Sequence, residues 1–451
     1  MFLSCSKELA VLEEDVFSGV GKWKIKKKGS SLGSKLTDCD VTDLILNSNL
    51  SFKIYTEDNR VLTGSYSLSS SQNIQLNGTE GNIGALTNIE IVDNNISFDI
   101  NLEGVCQNSL EGDKDESYVE GRTYVADSNF ENYLIEQGID DIADNFVLTS
   151  KIISLEKLNL NQKNITSLVG IEDFIGLEGL SASENQISGI LDLSNNSKLV
   201  SVDLPTNPIK ELHFNNNPSL EMLWVYNTNT LEKLEISNSP NLLSLSAHNN
   251  KLEELDLSNF PKLYNLRIWD SNLKKLDLSL LTQLEYLVAG DVLNDSDNGE
   301  VILPIESNLK VLALGGNRLN EIINLSTSVK LERADLNDNF LTEIDFSNNR
   351  KIEYLSLEDN QITQLNVSNF ENLIWFRANG NQISCVTVSE TQINAIPPSC
   401  IDLGIPNSTI EEEESCYDKS AWMEDNFAPE DYEISSTWVV DDGTFYSLDC
   451  N

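Results

Sequence analysis

Eleven times from residue 155 onward the chain returns to one phrase, L-x-x-L-x-L-x-x-N-x-L, with copies starting at Leu155, Leu177, Leu199, Leu220, Leu242, Leu263, Leu284, Leu309, Leu331, Ile352 and Leu373. All steps but one are 21 or 22 residues, the exception being the longer step from Leu284 to Leu309. A unit this short cannot bury its own leucines, whereas stacked units share one continuous core. Alternate residues of a short strand in each copy point inward, so successive strands are expected to pair in parallel as a concave sheet. The spacing predicts a solenoid of eleven repeats over residues 154–404.

Eight residues after each start stands an asparagine in most copies: Asn185, Asn207, Asn250, Asn317, Asn339, Asn360 and Asn381. A primary amide offers both donors and acceptors, which a tight turn needs for its unpaired peptide groups. Lys163, Thr228, Ser271 and Val292 replace it in four copies, where looser turns are expected. The back halves, such as "LEKLEISN" and "LTEIDFSN", alternate apolar and charged residues without a helical period, so extended or turn-like convex segments are predicted.

The 30 Lys and Arg stand against 72 acidic residues, a formal charge of −42, which excludes nucleic acid as a partner because phosphate contacts require a basic surface. The charge itself reads as a solubility device. The sequence contains no apolar run long enough to span a bilayer. Seven cysteines and only two histidines, His213 and His248, leave little for metal chemistry or histidine-based catalysis, and no cofactor is expected. Six cysteines can pair, as expected of an oxidising, exported location. Cys39 with Cys106 is the pairing expected in the first third, and Cys385, Cys400, Cys416 and Cys450 allow three connectivities.

Ahead of the repeats, residues 17–108 alternate apolar and polar positions in stretches such as "NLSFKIYTED" and "ISFDINLEG", separated by turn residues. An antiparallel β meander with a buried face follows from that pattern. The acidic, turn-rich 109–122 reads as a linker, and 123–153 as a helical cap, with Asp127 and Ser128 as the helix start and Phe130, Leu134 and Ile135 at helical spacing. Residues 405–451 form an acidic, cysteine-containing C-terminal segment.

The repeats, the "YVADSNFENYLIEQGIDD" cap and the "LDLSNN" phrasing together resemble the internalin-like leucine-rich-repeat surface proteins of the Bacteroidota. The resemblance covers residues 123 to about 400. It implies a non-catalytic, surface-displayed recognition protein, expected to act as a monomer. Gly21-Lys22-Trp23 resembles the opening of small lipocalin-like domains, which implies a Trp plugging one end of a barrel. "FLSC" resembles a bacterial lipobox, so residues 1–16 are read as a lipoprotein N-terminus and tether, acylated at Cys5. An outer-membrane, lipid-anchored location at the cell surface is expected, or a secreted form, with the membrane reached through the anchor alone.

In this register the concave residues lie two, four and six places after each start. Most copies place small or polar residues there. Copies four to seven instead present Met222, Trp224 and Tyr226, then Ser244, Ser246 and His248, then Asn265, Arg267 and Trp269, then Tyr286. Tyr226, His248 and Trp269 share one column, about 4.8 Å apart strand to strand. Aromatic and Arg side chains grouped on a surface are typical of interfaces, so Trp224, Tyr226, His248, Arg267, Trp269 and Tyr286 are the candidate ligand-binding residues. Tyr354, Trp375 and Arg377 form a second, smaller patch.

The expected ligand is a protein, and the alternative is a glycan stacked on the aromatic column. "NDSDNGEVILPI" begins like a calcium loop but lacks the closing Glu, and reads as an acidic insertion. "EEEES", 411–415, reads as a solvated charge run. No catalytic motif is present in the sequence, and the N-terminal β domain contains no histidine.

Overall fold

The computed structural model describes residues 21–27, 41–70, 72–78, 81–102, 106–115, 118–293, 299–395, 438–440, 444–448 and 450. Cys5, Cys39, Cys400, Cys416, the calcium-like 294–298 and the charge run 411–415 lie outside them, so the lipidation and the Cys39–Cys106 pairing do too. The chain divides into two compact units. One comprises Met1–Ile153 with Ser167–Asp173 and Ser188–Asp192, and the other comprises the remainder.

The first unit contains a closed antiparallel barrel in sequential order: β1 (Gly21–Lys27), β2 (Val41–Leu46), β3 (Ser51–Thr56), β4 (Val61–Ser70), β5 (Asn73–Gly78), β6 (Gly81–Val92), β7 (Asn95–Leu102) and β8 (Cys106–Lys114). Closure comes from β8 pairing with β1, Trp23 opposite Lys114 and Lys27 opposite Leu110, so no edge strand is left unpaired. The alternation read in the sequence puts Phe52, Ile54, Ile74, Leu76, Phe98 and Ile100 into one apolar cluster around Trp23, which is fully buried. The barrel runs to Lys114, beyond the expected limit of 108. The start of the acidic stretch is therefore strand, because β1 needs a partner and Leu110 supplies another inward side chain.

Just after the barrel, Asp115 is part of a buried charge cluster. Lys22 is fully buried, with its Nζ 3.1 Å from Asp43, 3.5 Å from Asp115 and 3.1 Å from the centroid of the Tyr124 ring. Burial lowers the Lys22 pKa, and the two carboxylates oppose that shift. The expected helix follows. Asp127 accepts from the backbone N–H groups of Asn129 and Phe130 at 2.8 and 3.0 Å, starting the helix Ser128–Glu136, whose Phe130 and Leu134 are buried.

The second unit is a leucine-rich-repeat solenoid. Each of the eleven copies contributes a three-residue strand, two to four places after its start, to a single parallel sheet. The pairing keeps equal positions opposite one another, as in Met222 with Ser244 and Trp224 with Ser246. The repeated leucines Leu180, Leu223, Leu245, Leu266, Leu287, Leu312 and Leu355 are core.

Asn185 shows how each turn is closed. Its Nδ2 donates to Leu160 O in the preceding copy and to Ala182 O in its own, at 2.8 and 2.9 Å, while its Oδ1 accepts from Lys163 N and Ile165 N. Asn207, Asn250, Asn317, Asn339, Asn360 and Asn381 repeat the donor pattern. Sharing between copies reaches two of the turns that lack the asparagine: Lys163 N is held by Asn185 Oδ1 and Val292 N by Asn317 Oδ1 of the next copy, at 3.0 and 2.9 Å. A second ladder, unforeseen, closes the opposite turn. Asn217 donates to Leu193 O and Asn196 O, and Asn349 to Leu325 O and Ser328 O, all within 3.1 Å.

The described residues of the C-terminal segment extend the same architecture. Trp438–Val439 adds a twelfth strand beside Phe376 and Arg377, and Phe445–Ser447 pairs with Cys385–Thr387. The disulfide Cys385–Cys450, with its Cα atoms 5.7 Å apart, crosses this turn and selects among the three connectivities. The convex side is extended, as expected, with short parallel pairings such as Glu211–Phe214 on Lys233–Ile236.

Two substitutions test the register. Asn339→Leu should cost about 1–3 kcal/mol, since it strips the donor from the buried carbonyls of Leu314 and Leu336, and Leu223→Ala about 2–5 kcal/mol, both read from denaturant unfolding. A silent Leu223→Ala would put the inward face one residue away.

Candidate functional site: a concave aromatic groove

The concave strands end in a sharp turn, and the residue seven places after each start adopts a left-handed conformation: Gln162 (φ 56°), Glu184 (54°), Thr206 (59°), Asn227 (56°), Asn249 (54°), Asp270 (51°), Asp291 (51°), Gly316 (73°), Asp338 (51°), Asp359 (53°) and Gly380 (73°). Asn, Asp and Gly tolerate that region best, and they fill this slot from the fourth copy onward. The consequence is a row of carboxylates bordering the concave face. Sequence reading missed Asp270 and Asp291, although their place just before the asparagine slot was the available signal.

Across copies four to nine the concave surface forms a groove of about 920 Å³. Of the expected residues, Trp224, Tyr226, His248, Arg267 and Trp269 all line it. Tyr286 does not; it is half-buried on its strand beside Val311. The groove adds residues that the sequence reading had not singled out, chiefly Tyr264, Asp270, Asp291 and Asp335.

Tyr226, His248 and Trp269 form one continuous stack. The Tyr226 and His248 centroids are 4.6 Å apart with planes 8° from parallel, and those of His248 and Trp269 are 3.6 Å apart at 14°. The stack runs along the sheet because its members come from adjacent strands, so inner ring faces cover one another and ring edges meet the groove. His248 is the enclosed member, 8% exposed, with its Nδ1 3.0 Å from Ser246 Oγ. Burial, assisted by Arg267, lowers its pKa to about 4. The ring is therefore neutral at pH 7 and acts as a spacer between two larger rings. Trp224, in contrast, is exposed.

At the far end of the groove, Asp335 is buried and its pKa is pushed up to about 6 by desolvation, with Glu358 and Asp338 adding to the shift. Asp291 is raised in the same way, by burial first and then by Asp270 and Asp338.

The smaller patch is internally matched. Tyr354 pairs with Trp375 across neighbouring strands; Arg333 lies 4.6 Å over the Tyr354 ring and Arg377 4.9 Å over that of Trp375. Arg377 also meets Glu358 at 3.6 Å. Each ring there carries a cation from this chain.

No protein-family model matches this sequence, and comparison with curated proteins finds no match. Solved structures give similarities of architecture. The functional domain of InlJ from Listeria monocytogenes is 23% identical over 58% of this chain and 68% of its own, with a TM-score of 0.38. The internalin InlF of the same species is 20% identical over 59% of this chain and 90% of its own, with a TM-score of 0.41. YopM, a leucine-rich effector from Yersinia pestis, is 24% identical over 51% and 68%, also at 0.41. What these share with the present chain is the repeat fold.

The enclosed histidine gives a direct test. Its folded pKa of about 4 lies below the ordinary value of 6.5. The stability it contributes is thus complete above pH 6.5 and lost as pH falls toward 4, because the unfolded chain takes up a proton first. NMR titration of the imidazole C–H signals should find one histidine with a midpoint near 4, its signal absent in His248→Asn. A midpoint near 6.5 for His248 would mean that the stack is open to water.

Proposed function

We propose that this protein is a recognition protein that binds a protein partner in the concave groove of copies four to nine. The observation that carries this reading is the concentration of Trp224, Tyr226, Arg267 and Trp269 in one groove, at slots that other copies fill with small or polar residues. Solenoid assembly does not call for them; exposed aromatic and Arg side chains are what interface centres use. Because the inner faces of the stack are already covered, a sugar ring has only the end faces and Trp224 to rest on. Edges and hydrogen-bonding groups suit a polypeptide better.

The reading is one of binding rather than catalysis. The histidine in the groove, a natural general base, is held neutral and enclosed by its neighbours. We further propose display at the cell surface through a lipid on Cys5, or secretion, which the Cys385–Cys450 disulfide supports. Protein isolated from its native membrane should give an acylated N-terminal peptide at Cys5 by mass spectrometry, and a Cys385–Cys450 peptide before reduction. A free thiol at both Cys5 and Cys385 would reject the exported location.

The binding reading is tested with the full chain on a panel of surface proteins and on a glycan array. Trp224→Ala should shift stability by no more than about 0.5 kcal/mol, and the Trp224→Ala/Arg267→Ala pair should weaken a protein partner by about 2 kcal/mol or more. Tyr226 and Trp269 are less clean probes, because each also covers His248 and removing a stacked ring costs about 0.5–1.5 kcal/mol. A partner bound equally by wild type and the pair would move the site elsewhere. Glycan binding abolished by Trp224→Ala, with no protein bound, would favour the sugar.

A further inference from the structure

We propose that the part of the groove beside Trp269 receives one cationic side chain, Arg or Lys, from the protein partner. This rests on the groove being a protein-binding site, and it identifies the chemistry that the partner must present.

The argument starts from the end of the aromatic stack. One face of Trp269 lies against His248, 3.6 Å away. The other looks along the sheet toward the same slot in the next copies, which holds Gly290 and then Gly315. A Cβ built on Gly290 would meet the backbone of Gly315, its O at 3.2 Å and its C at 4.0 Å, and no side chain, and Gly290 itself lines the groove. Above Gly315 stands the amide of Asn337, its Oδ1 2.3 Å from where a Cβ would be. The strands of Trp269 and Gly315 are two spacings apart, about 9–10 Å. A guanidinium or ammonium group fits between the ring and the amide within the distance at which a cation interacts with a π face.

The remaining surroundings are acceptors. Asn337 Oδ1 is buried without a hydrogen-bond donor. Asp335, on the groove floor, is 5% exposed and forms no ion pair among the described residues. The Asp291 carboxylate lies over Gly316, its Oδ1 2.2 Å from a Cβ built there. An Arg or Lys brings a donor to Asn337 Oδ1 and a positive charge to the carboxylates of Asp335 and Asp291, which a neutral side chain does not. The charge of Arg267 acts on Tyr226 and His248.

The same sheet contains the internal counterpart of the arrangement. Arg377 lies over Trp375 and pairs with Glu358, and Arg333 lies over Tyr354. Ring, cation and carboxylate are all supplied by this chain in that patch. Beside Trp269 the chain supplies ring and carboxylates.

The experiment uses the full chain and blocked tripeptides Gly-Xaa-Gly at millimolar concentration, with Xaa being Arg, Lys, citrulline, norleucine or Glu, followed by saturation-transfer NMR and competition. Arg and Lys peptides should bind at least threefold more tightly than citrulline, which keeps the shape of Arg without its charge, and Glu should bind least. Trp269→Ala and Asp335→Asn should each weaken the Arg peptide about fivefold, and Trp375→Ala should not. Gly290→Leu, which fills the space over the Trp269 face, should also abolish Arg binding, with circular dichroism confirming the fold.

Citrulline equal to Arg, or Arg binding unchanged in both Trp269→Ala and Asp335→Asn, overturns the proposal, as does no preference for Arg at all. A protein partner that still requires Trp224 and Arg267 in that event leaves the groove reading standing. Loss of both identifies the groove reading as the one that failed.

Discussion

Every turn of the solenoid reverses the chain in few residues and leaves peptide groups pointing into a narrow core, and the rest of the molecule depends on how those groups are paired. An unpaired buried carbonyl costs about 1–3 kcal/mol, so many unpaired turns would outweigh the net stability of a folded domain. The asparagine ladder answers this in seven of the eleven copies with one side chain that donates to its own turn and to the one before. Sharing between copies also explains why Val292, with no side-chain donor, sits in a closed turn: Asn317 of the next copy holds its N–H. Cooperativity between neighbours is thus built from hydrogen bonds as well as from leucine packing.

That same turn decides the electrostatics of the groove. The chain enters the asparagine position through a left-handed residue, and Asp is one of the few side chains suited to it. Asp270 and Asp291 therefore border the concave face for a backbone reason before any functional one. Their carboxylates still have consequences. Burial raises the pKa of Asp291, with Asp270 and Asp338 adding to the shift, and together with Asp335 these carboxylates set a negative potential where Trp269 ends its stack. A requirement of the repeat fold and a preference for a cationic partner arise from one structural position.

The repeat register was legible because a period of 21 or 22 residues leaves one way to align the leucines, and all eleven strands fall two to four places after the expected starts. The groove residues at four and six places were legible for the same reason. Three features were not. The twelfth strand, Trp438–Val439, follows a long interruption and carries no leucine phrase. The asparagines Asn196, Asn217 and Asn349 read as turn formers, since nothing in one copy says that an amide reaches back into the one before. The closing barrel strand was masked by its acidic composition, because in "CQNSLEGDK" only Leu110 among the strong hydrophobics marks the inward face.

The aromatic stack shows where pattern stops and geometry begins. A column of Tyr, His and Trp suggests three ring faces offered to a ligand, yet parallel rings on adjacent strands cover one another, and that mutual cover is what buries His248. Two kinds of surface remain: edges along the column and one open face at its end. That end face exists because the next two copies carry glycine in the slot where a side chain would have continued the stack. Glycine at Gly290 and Gly315 thus does for the groove what Arg333 and Arg377 undo in the second patch, where rings of similar size have cations of the chain laid over them. Between two patches of like composition, the difference in availability comes from the neighbouring copy, and it is there that the contact surface of the molecule is decided.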